Sequence, residues 1–144
     1  MTGSRRREDS LIRQLGALPY RVDEEGELRI LLVTSRETGR WVVPKGNPMP
    51  RCKGHEAAAL EALEEAGAEG EISETPIGTF RYRKRRRFLL AVNAEVQLFP
   101  LRVERLRKSW PEAHQRRRQW FSRAEAAAAV QEPGLKRLIL AFES

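Results

Sequence analysis

Three carboxylates crowd into five positions of the stretch ALEALEEAGAEG, residues 59–70: Glu61, Glu64 and Glu65, with Gly67 just behind them. The chain around them is basic, with a net charge of +7 over 144 residues, so the cluster is no sample of a generally acidic surface. On a helix, at about 100° per residue, spacings of three and four bring such side chains next to one another. There they repel, and they lie toward the helix C-terminus, where the dipole disfavours negative charge. Helix stability does not explain the placement. A bound hard cation does, because Mg²⁺ or Mn²⁺ takes oxygen ligands and turns the repulsion into attraction.

The elements that must position these residues can be read from pattern. Gly54 to Ala66 reads as the helix, stopped by Gly67. Its apolar side is expected at Ala59, Ala62, Leu63 and Ala66, with the glutamates opposite. Ahead of it, KGNPMPRCKG holds two glycines and two prolines and reads as a loop. Strand candidates are residues 11–22, Leu28 to Thr34, WVVP, Ile72 to Tyr82, Phe88 to Phe99, which is the longest, and RRRQWFS. The basic run 83–87 falls at the turn between the fourth and fifth of these. Residues 123–130 and Pro133 to Phe142 read as helices, the second with an apolar stripe at Leu135, Leu138, Ile139 and Phe142. The early strands are spaced too closely for strand–helix–strand crossovers, so a mixed sheet with a helix on each side is expected.

Composition bounds the rest. Residues 1–10 read as a flexible basic tail and 11–144 as a single domain, 33% charged overall and therefore heavily charged at its rim. The single cysteine, Cys52, closes no internal disulfide, and no apolar run reaches the roughly 18 residues of a membrane span. The basic start has no apolar segment behind it, so no signal peptide is expected, and the cytoplasm is the expected compartment. Arginine clusters at 5–7, 81–87 and 116–118 suit an anionic partner: nucleic acid, membrane phosphates or a polyphosphorylated small molecule. Trp41 and Trp120 are expected in the core, His55 exposed at the helix start, and Trp110 and His114 in a loop.

Gly46 precedes Gly67 by 21 residues, and the span between them carries the loop and the acidic helix. This spacing resembles the Nudix box, G-x5-E-x7-R-E-U-x-E-E-x-G-U, with U a bulky apolar residue. The chain reads Gly46, NPMPR, Cys52, KGHEAAA, Leu60, Glu61, Ala62, Leu63, Glu64, Glu65, Ala66, Gly67, Ala68. Two positions depart: Cys52 stands at the box glutamate and Leu60 at the box arginine, an expected exchange of polar support for apolar. The resemblance implies an α/β/α sandwich around a mixed β-sheet and hydrolysis of a nucleoside or other organic diphosphate. It implies Mg²⁺ or Mn²⁺ held by Glu61, Glu65 and the Gly46 carbonyl, with Glu64 as ligand or base. Glu112 and Glu95 stand as further acids, both better read as structural.

LLVTSRETGRWVVPKG and RRRQWFSRAEAAAAV are similar to segments of the diphosphoinositol polyphosphate phosphohydrolases and the related diadenosine polyphosphate hydrolases. This implies phosphate contacts from Ser35, Arg36, Arg83, Arg85, Arg87, Arg116 and Arg118. Lys45, beside Gly46, is a further expected substrate contact. Two other expectations stand beside a polyphosphate hydrolase: an RNA 5′-end pyrophosphohydrolase or RNA binder using the same basic surface, and an anion binder that has lost catalysis. Oligomeric state stays open.

Overall fold

The structure is a computed structural model that describes residues 11–86 and 89–144. The tail expected at residues 1–10 and Arg87 lie outside the described residues. The elements in chain order are β1 (Ile12–Val22), β2 (Leu28–Thr34), β3 (Trp41–Val42), β4 (Lys45–Gly46), α1 (Gly54–Ala66), β5 (Ala68–Ile72), β6 (Gly78–Arg86), β7 (Leu89–Leu106), β8 (Arg118–Ser122), α2 (Arg123–Ala129) and α3 (Pro133–Ala141).

All the strands join one mixed sheet, ordered β3-β2-β1-β7-β5, with β4 on β1, β6 on β7 and β8 on β2. β1 and β7 run parallel at its centre, and the other pairings are antiparallel. The branched run of β2 splits by alternation, as the twofold period of a strand requires. Ile30 and Leu32 pack toward α2 and α3 with Leu18, Val96, Leu98 and Ile139. Leu31 and Val33 pack toward α1 with Leu15, Ala17, Ala58 and Ala62. A sheet buried on both faces needs such unbroken apolar strands. The α/β sandwich read from the sequence is the fold observed.

Several boundaries differ from the sequence reading: β5 (Ala68–Ile72) is absent from it, and the strand expected over Ile72 to Tyr82 begins only at Gly78. Lys45–Gly46 is a short strand paired with Leu15 and Gly16, not loop. The basic run begins inside β6 rather than at a turn: Arg81, Arg83 and Arg85 alternate outward while buried Phe80 and partly buried Tyr82 face inward. β7 runs on through Pro100 to Leu106. A proline normally ends an interior strand because it lacks a donor. Here the Pro100 carbonyl accepts from Ser73 N–H at 2.9 Å, so its missing N–H faces the same side. On that side β7 changes partner, from β6, whose first residue Gly78 stands opposite Leu98, to β5, whose last residue Ile72 stands opposite Leu101. No ladder bond is lost at the gap.

Candidate metal and phosphate site

Small side chains seat α1 on the sheet. Ala57, Ala58, Ala62 and Ala66 are at most 1% exposed, and without bulk at those positions the helix settles close, burying a wide face. That face includes Glu61 and Glu65, 9% and 6% exposed. The expectation that all three glutamates lie opposite the apolar side is corrected: Glu64 alone of the three is exposed, while Ala59 and Leu63 are only partly buried. A helix of this weak amphipathicity gives no clear orientation from pattern, and the packing of its alanines decides it. Glu61 and Glu65, four apart, therefore face the same way into the protein.

The β4 segment lies across both carboxylates. Lys45 N–H donates to Glu65 Oε1 at 3.3 Å. A Cβ on residue 46 would overlap the Glu61 carboxylate, so only glycine lets the backbone approach it. At the other end of α1, Gly67 closes the helix at φ 64°, with its N–H on the Leu63 carbonyl at 3.0 Å.

This environment disfavours the charged carboxylates. Burial raises the Glu65 pKa to about 7, with Glu61 adding to the rise and Arg116 and Lys45 opposing it. Burial, then the Glu64 charge, raises that of Glu61. Burial pulls the Lys45 ammonium down to about 8, although Glu65 and Glu132 favour its charge. Its Nζ lies 4.8 Å from the centre of the Tyr82 ring. Tyr82 in turn donates to Gln14 Oε1 at 2.5 Å. Glu132 pairs with Arg40 at 2.7 Å, while its other carboxylate oxygen is buried with no hydrogen-bond partner among the described residues.

Among the described residues no three His, Cys, Asp or Glu side chains gather as a metal-binding set. The donors that do come together are two carboxylates beside the Lys45–Gly46 backbone. They fit a hard divalent cation by chemistry, being all oxygen, and by charge, because each is an anion its surroundings oppose.

An expected consequence is testable without any substrate. Folded, Glu65 keeps its proton up to about pH 7; unfolded, only to about 4.5. Between those values the folded chain holds the extra proton, so stability falls as pH rises through the window and stays low above it. The loss is about 3 kcal/mol at most, or roughly 5–10 °C in melting temperature. The lowered carboxyls of Asp23, Glu69 and Glu125 act with the opposite sign at lower pH, and Lys45 acts above the window. Metal-free protein should thus melt lower at pH 7.5 than at pH 5, and Mg²⁺ should restore the difference. Glu61, also raised, acts in the same direction, so Glu65→Gln should shrink both effects in paired melts rather than abolish them.

The remaining expected residues are placed as follows. Arg83 and Arg85 are exposed on β6, with Arg83 on Asn93 Oδ1 at 3.1 Å. Ser35 bonds Thr38 Oγ1 at 2.6 Å inside its own turn, and Arg36 reaches Gln115 Oε1 at 3.3 Å. Arg118 is bound to the Ala66 and Arg107 carbonyls and stacks on Trp110, its guanidinium 3.9 Å from the ring centre. Arg116 is buried beside Glu65 and Glu112. The structure thus gathers Lys45, Gly46, Glu61, Glu65 and Arg116; Arg116 also reaches the Thr34 carbonyl, next to Ser35, and Lys45 lies against Tyr82 of β6. His55 is less open than expected, its side chain 15% exposed near Phe99. Glu95 is held between Arg13 and Arg81. Cys52 joins the apolar cluster under α1, but Leu60 is 41% exposed, so the expected apolar support is present at one position only. Sequence reasoning missed the bond from Trp110 to the helix end; a tryptophan before a proline in a polar loop was its only signal.

No family model matches the chain. Individual relatives do. It is 31% identical over 131 residues to Nudix hydrolase 21, chloroplastic, of Arabidopsis thaliana, an alignment over 89% of this chain and 64% of that protein. Against Nudix hydrolase 18, mitochondrial, of the same plant it is 30% identical over 128 residues, 85% and 70% of the two chains. Against diphosphoinositol polyphosphate phosphohydrolase 3-alpha of Mus musculus it is 29% identical, over 83% and 69%. The chain spans about 63–64% of the length of the first three curated relatives it matches. A binary complex of a C. elegans Ap4A hydrolase superposes with TM-score 0.68 over 90% of this chain and 93% of that one, at 21% identity, which shows the shared fold. A box in register, a fold of the same kind and relatives over most of the length agree: the chain belongs to the Nudix hydrolase family.

Proposed function

We propose that the chain hydrolyses a phosphoanhydride bond in a polyphosphorylated small molecule, with a divalent cation, Mg²⁺ or Mn²⁺, held by Glu61, Glu65 and the Gly46 carbonyl. The observation that carries this reading is the buried pair Glu61 and Glu65, kept as anions-in-waiting against a glycine backbone. When bound, the cation neutralises phosphoryl oxygens and lowers the pKa of a water molecule. The chain's own residues do the rest. Glu61 and Glu65 hold their oxygens fixed through burial. Glu64, exposed one turn away from Glu61, is the carboxylate free to take a proton from the attacking water. Water oxygen bonds to phosphorus, the bridging P–O bond breaks, and the leaving phosphate departs with the electron pair. Lys45 supplies positive charge beside the reacting phosphate. The remaining substrate contacts proposed are Ser35, Arg36, Arg83, Arg85 and Arg87, with longer phosphate chains reaching the β6 arginines.

A diphosphoinositol polyphosphate or a dinucleoside polyphosphate is the proposed substrate class, in line with the names of the mouse relative and the nematode protein. The RNA reading rests on the same basic surface; of the aromatics interleaved with its arginines, Phe80 is 3% exposed in the core and offers no ring to a base, while Tyr82 is partly buried. No helix among the described residues is long and apolar enough to cross a membrane. The experiment is phosphate release with Mg²⁺ from a diphosphoinositol polyphosphate, diadenosine penta- and hexaphosphate, and triphosphorylated RNA. Turnover of one of the first two classes supports the proposal. Turnover of the RNA alone moves the chain to the second reading, and tight binding with no turnover makes it a binder.

A further inference from the structure

The loop between β7 and β8 lies over the C-terminal turn of α1. Glu112 N–H donates to the Glu64 carbonyl at 3.1 Å. Trp110 Nε1–H donates to the Glu65 carbonyl at 3.0 Å. Arg118 Nη1–H donates to the Ala66 carbonyl at 2.8 Å. These are carbonyls that a helix end leaves without intrahelical partners; the loop supplies two of the donors and the first residue of β8 the third.

One side chain of that loop goes deeper. Arg116 is 9% exposed over its side chain. Its Nη1 donates to the Thr34 carbonyl at 3.0 Å and its Nε to Glu112 Oε1 at 2.7 Å. Its Nη2 lies 3.6 Å from Glu65 Oε2. A planar guanidinium tied at two edges has one orientation, and Glu112 balances its charge. The longer reach to Glu65 leaves that oxygen lone pairs to spare.

We infer that Arg116, held by Glu112, is a positioning residue that fixes the Glu65 carboxylate for a divalent cation, and not a contact for substrate phosphate. The inference rests on the proposed reading that Glu61 and Glu65 hold such a cation. A guanidinium buried to this degree, with its edges committed inside the protein, has no fork left for a phosphate. The charge balance matters as much as the geometry. An unneutralised guanidinium beside Glu65 would repel a dication, and Glu112 removes that repulsion.

The test is Mn²⁺ binding, followed by the loss of the free-ion paramagnetic resonance signal, with substrate kinetics alongside. Proteins compared are wild type, Glu65→Gln, Arg116→Lys and the double variant Glu112→Gln/Arg116→Gln. The double variant removes both charges together, so the local net charge is unchanged and no ion is left buried alone. It should bind Mn²⁺ about 10–100-fold more weakly than wild type, the range for losing a partner that orients a ligand. Arg116→Lys should fall between, because it keeps charge and loses the fork. Substrate KM at saturating metal should stay within about twofold in both, since loss of an orienting partner acts through the metal. Wild-type Mn²⁺ affinity in the double variant, or a raised KM at saturating metal with unchanged Mn²⁺ affinity, would overturn the inference. Should the double variant fail to fold, Arg116→Lys decides by the same two readouts. A wild type without Glu65-dependent Mn²⁺ binding defeats the underlying metal reading instead, which is a separate result.

Discussion

Glu65→Gln is expected to lower kcat/KM at saturating Mg²⁺ by roughly 10³-fold or more, with the fold intact. Losing a residue that merely orients a metal ligand costs about 10–100-fold, and Glu65 is proposed as the ligand itself. The substitution keeps shape and hydrogen-bonding reach, so Lys45 N–H still has an oxygen to meet. It removes a buried charge, so the metal-free protein should melt at the same temperature or higher at pH 7.5. Activity and stability thus move in opposite directions, which separates lost chemistry from lost structure. Retention of a tenth of wild-type activity would count against Glu65 as a ligand.

Gly46→Ala is expected to cost roughly 10²-fold in kcat/KM by displacing a carboxylate it does not share a helix with. The added Cβ would overlap the Glu61 carboxylate. Either Glu61 rotates out of a buried position, or β4 lifts away from Leu15 and Gly16. The first outcome weakens Mg²⁺ activation at little cost to stability, and the second lowers both. Measuring half-saturating Mg²⁺ and melting temperature together tells them apart. An alanine variant unchanged in both would show that the close approach of β4 to Glu61 has no functional weight.

The architecture was legible because long apolar runs such as LRILLVT admit few other readings; the capping signal SRAE at residues 122–125 went unread, although the structure uses it, Ser122 and Glu125 bonding each other's backbone N–H at 3.1 and 2.9 Å. The box glutamates were legible as a group for a different reason, since like charges at helical spacing need an outside cause. Their orientation was not. With alanine at so many positions, periodicity could not distinguish the seated side from the open one. Pro100 hid the second half of β7, because whether a missing donor is harmful depends on which neighbour lies on that side, which is a tertiary fact. Arg116 read as one of three arginines in a row. Its separation from Arg117, which is exposed, comes from strand alternation at the approach to β8 and from Glu112 four residues earlier. That i,i+4 pair was present in the sequence as a signal and was outweighed by the run.

The parallel pairing of β1 with β7 has a consequence for how the molecule reaches its structure. Ile12 stands opposite Ala94, and side chains 82 positions apart in the chain meet across this seam. Everything that carries chemistry lies inside the loop that this pairing closes, or just beyond it. A ribosome that has released α1 but not yet Glu95 to Arg102 exposes a helix with a buried-type acidic face and no sheet to seat it. Closing so long a loop has an entropic cost before its contacts return anything, and chains dominated by such distant partners fold slowly. Cation affinity should therefore arise late and abruptly during refolding, in the same kinetic phase as the central strands, rather than growing with helix content.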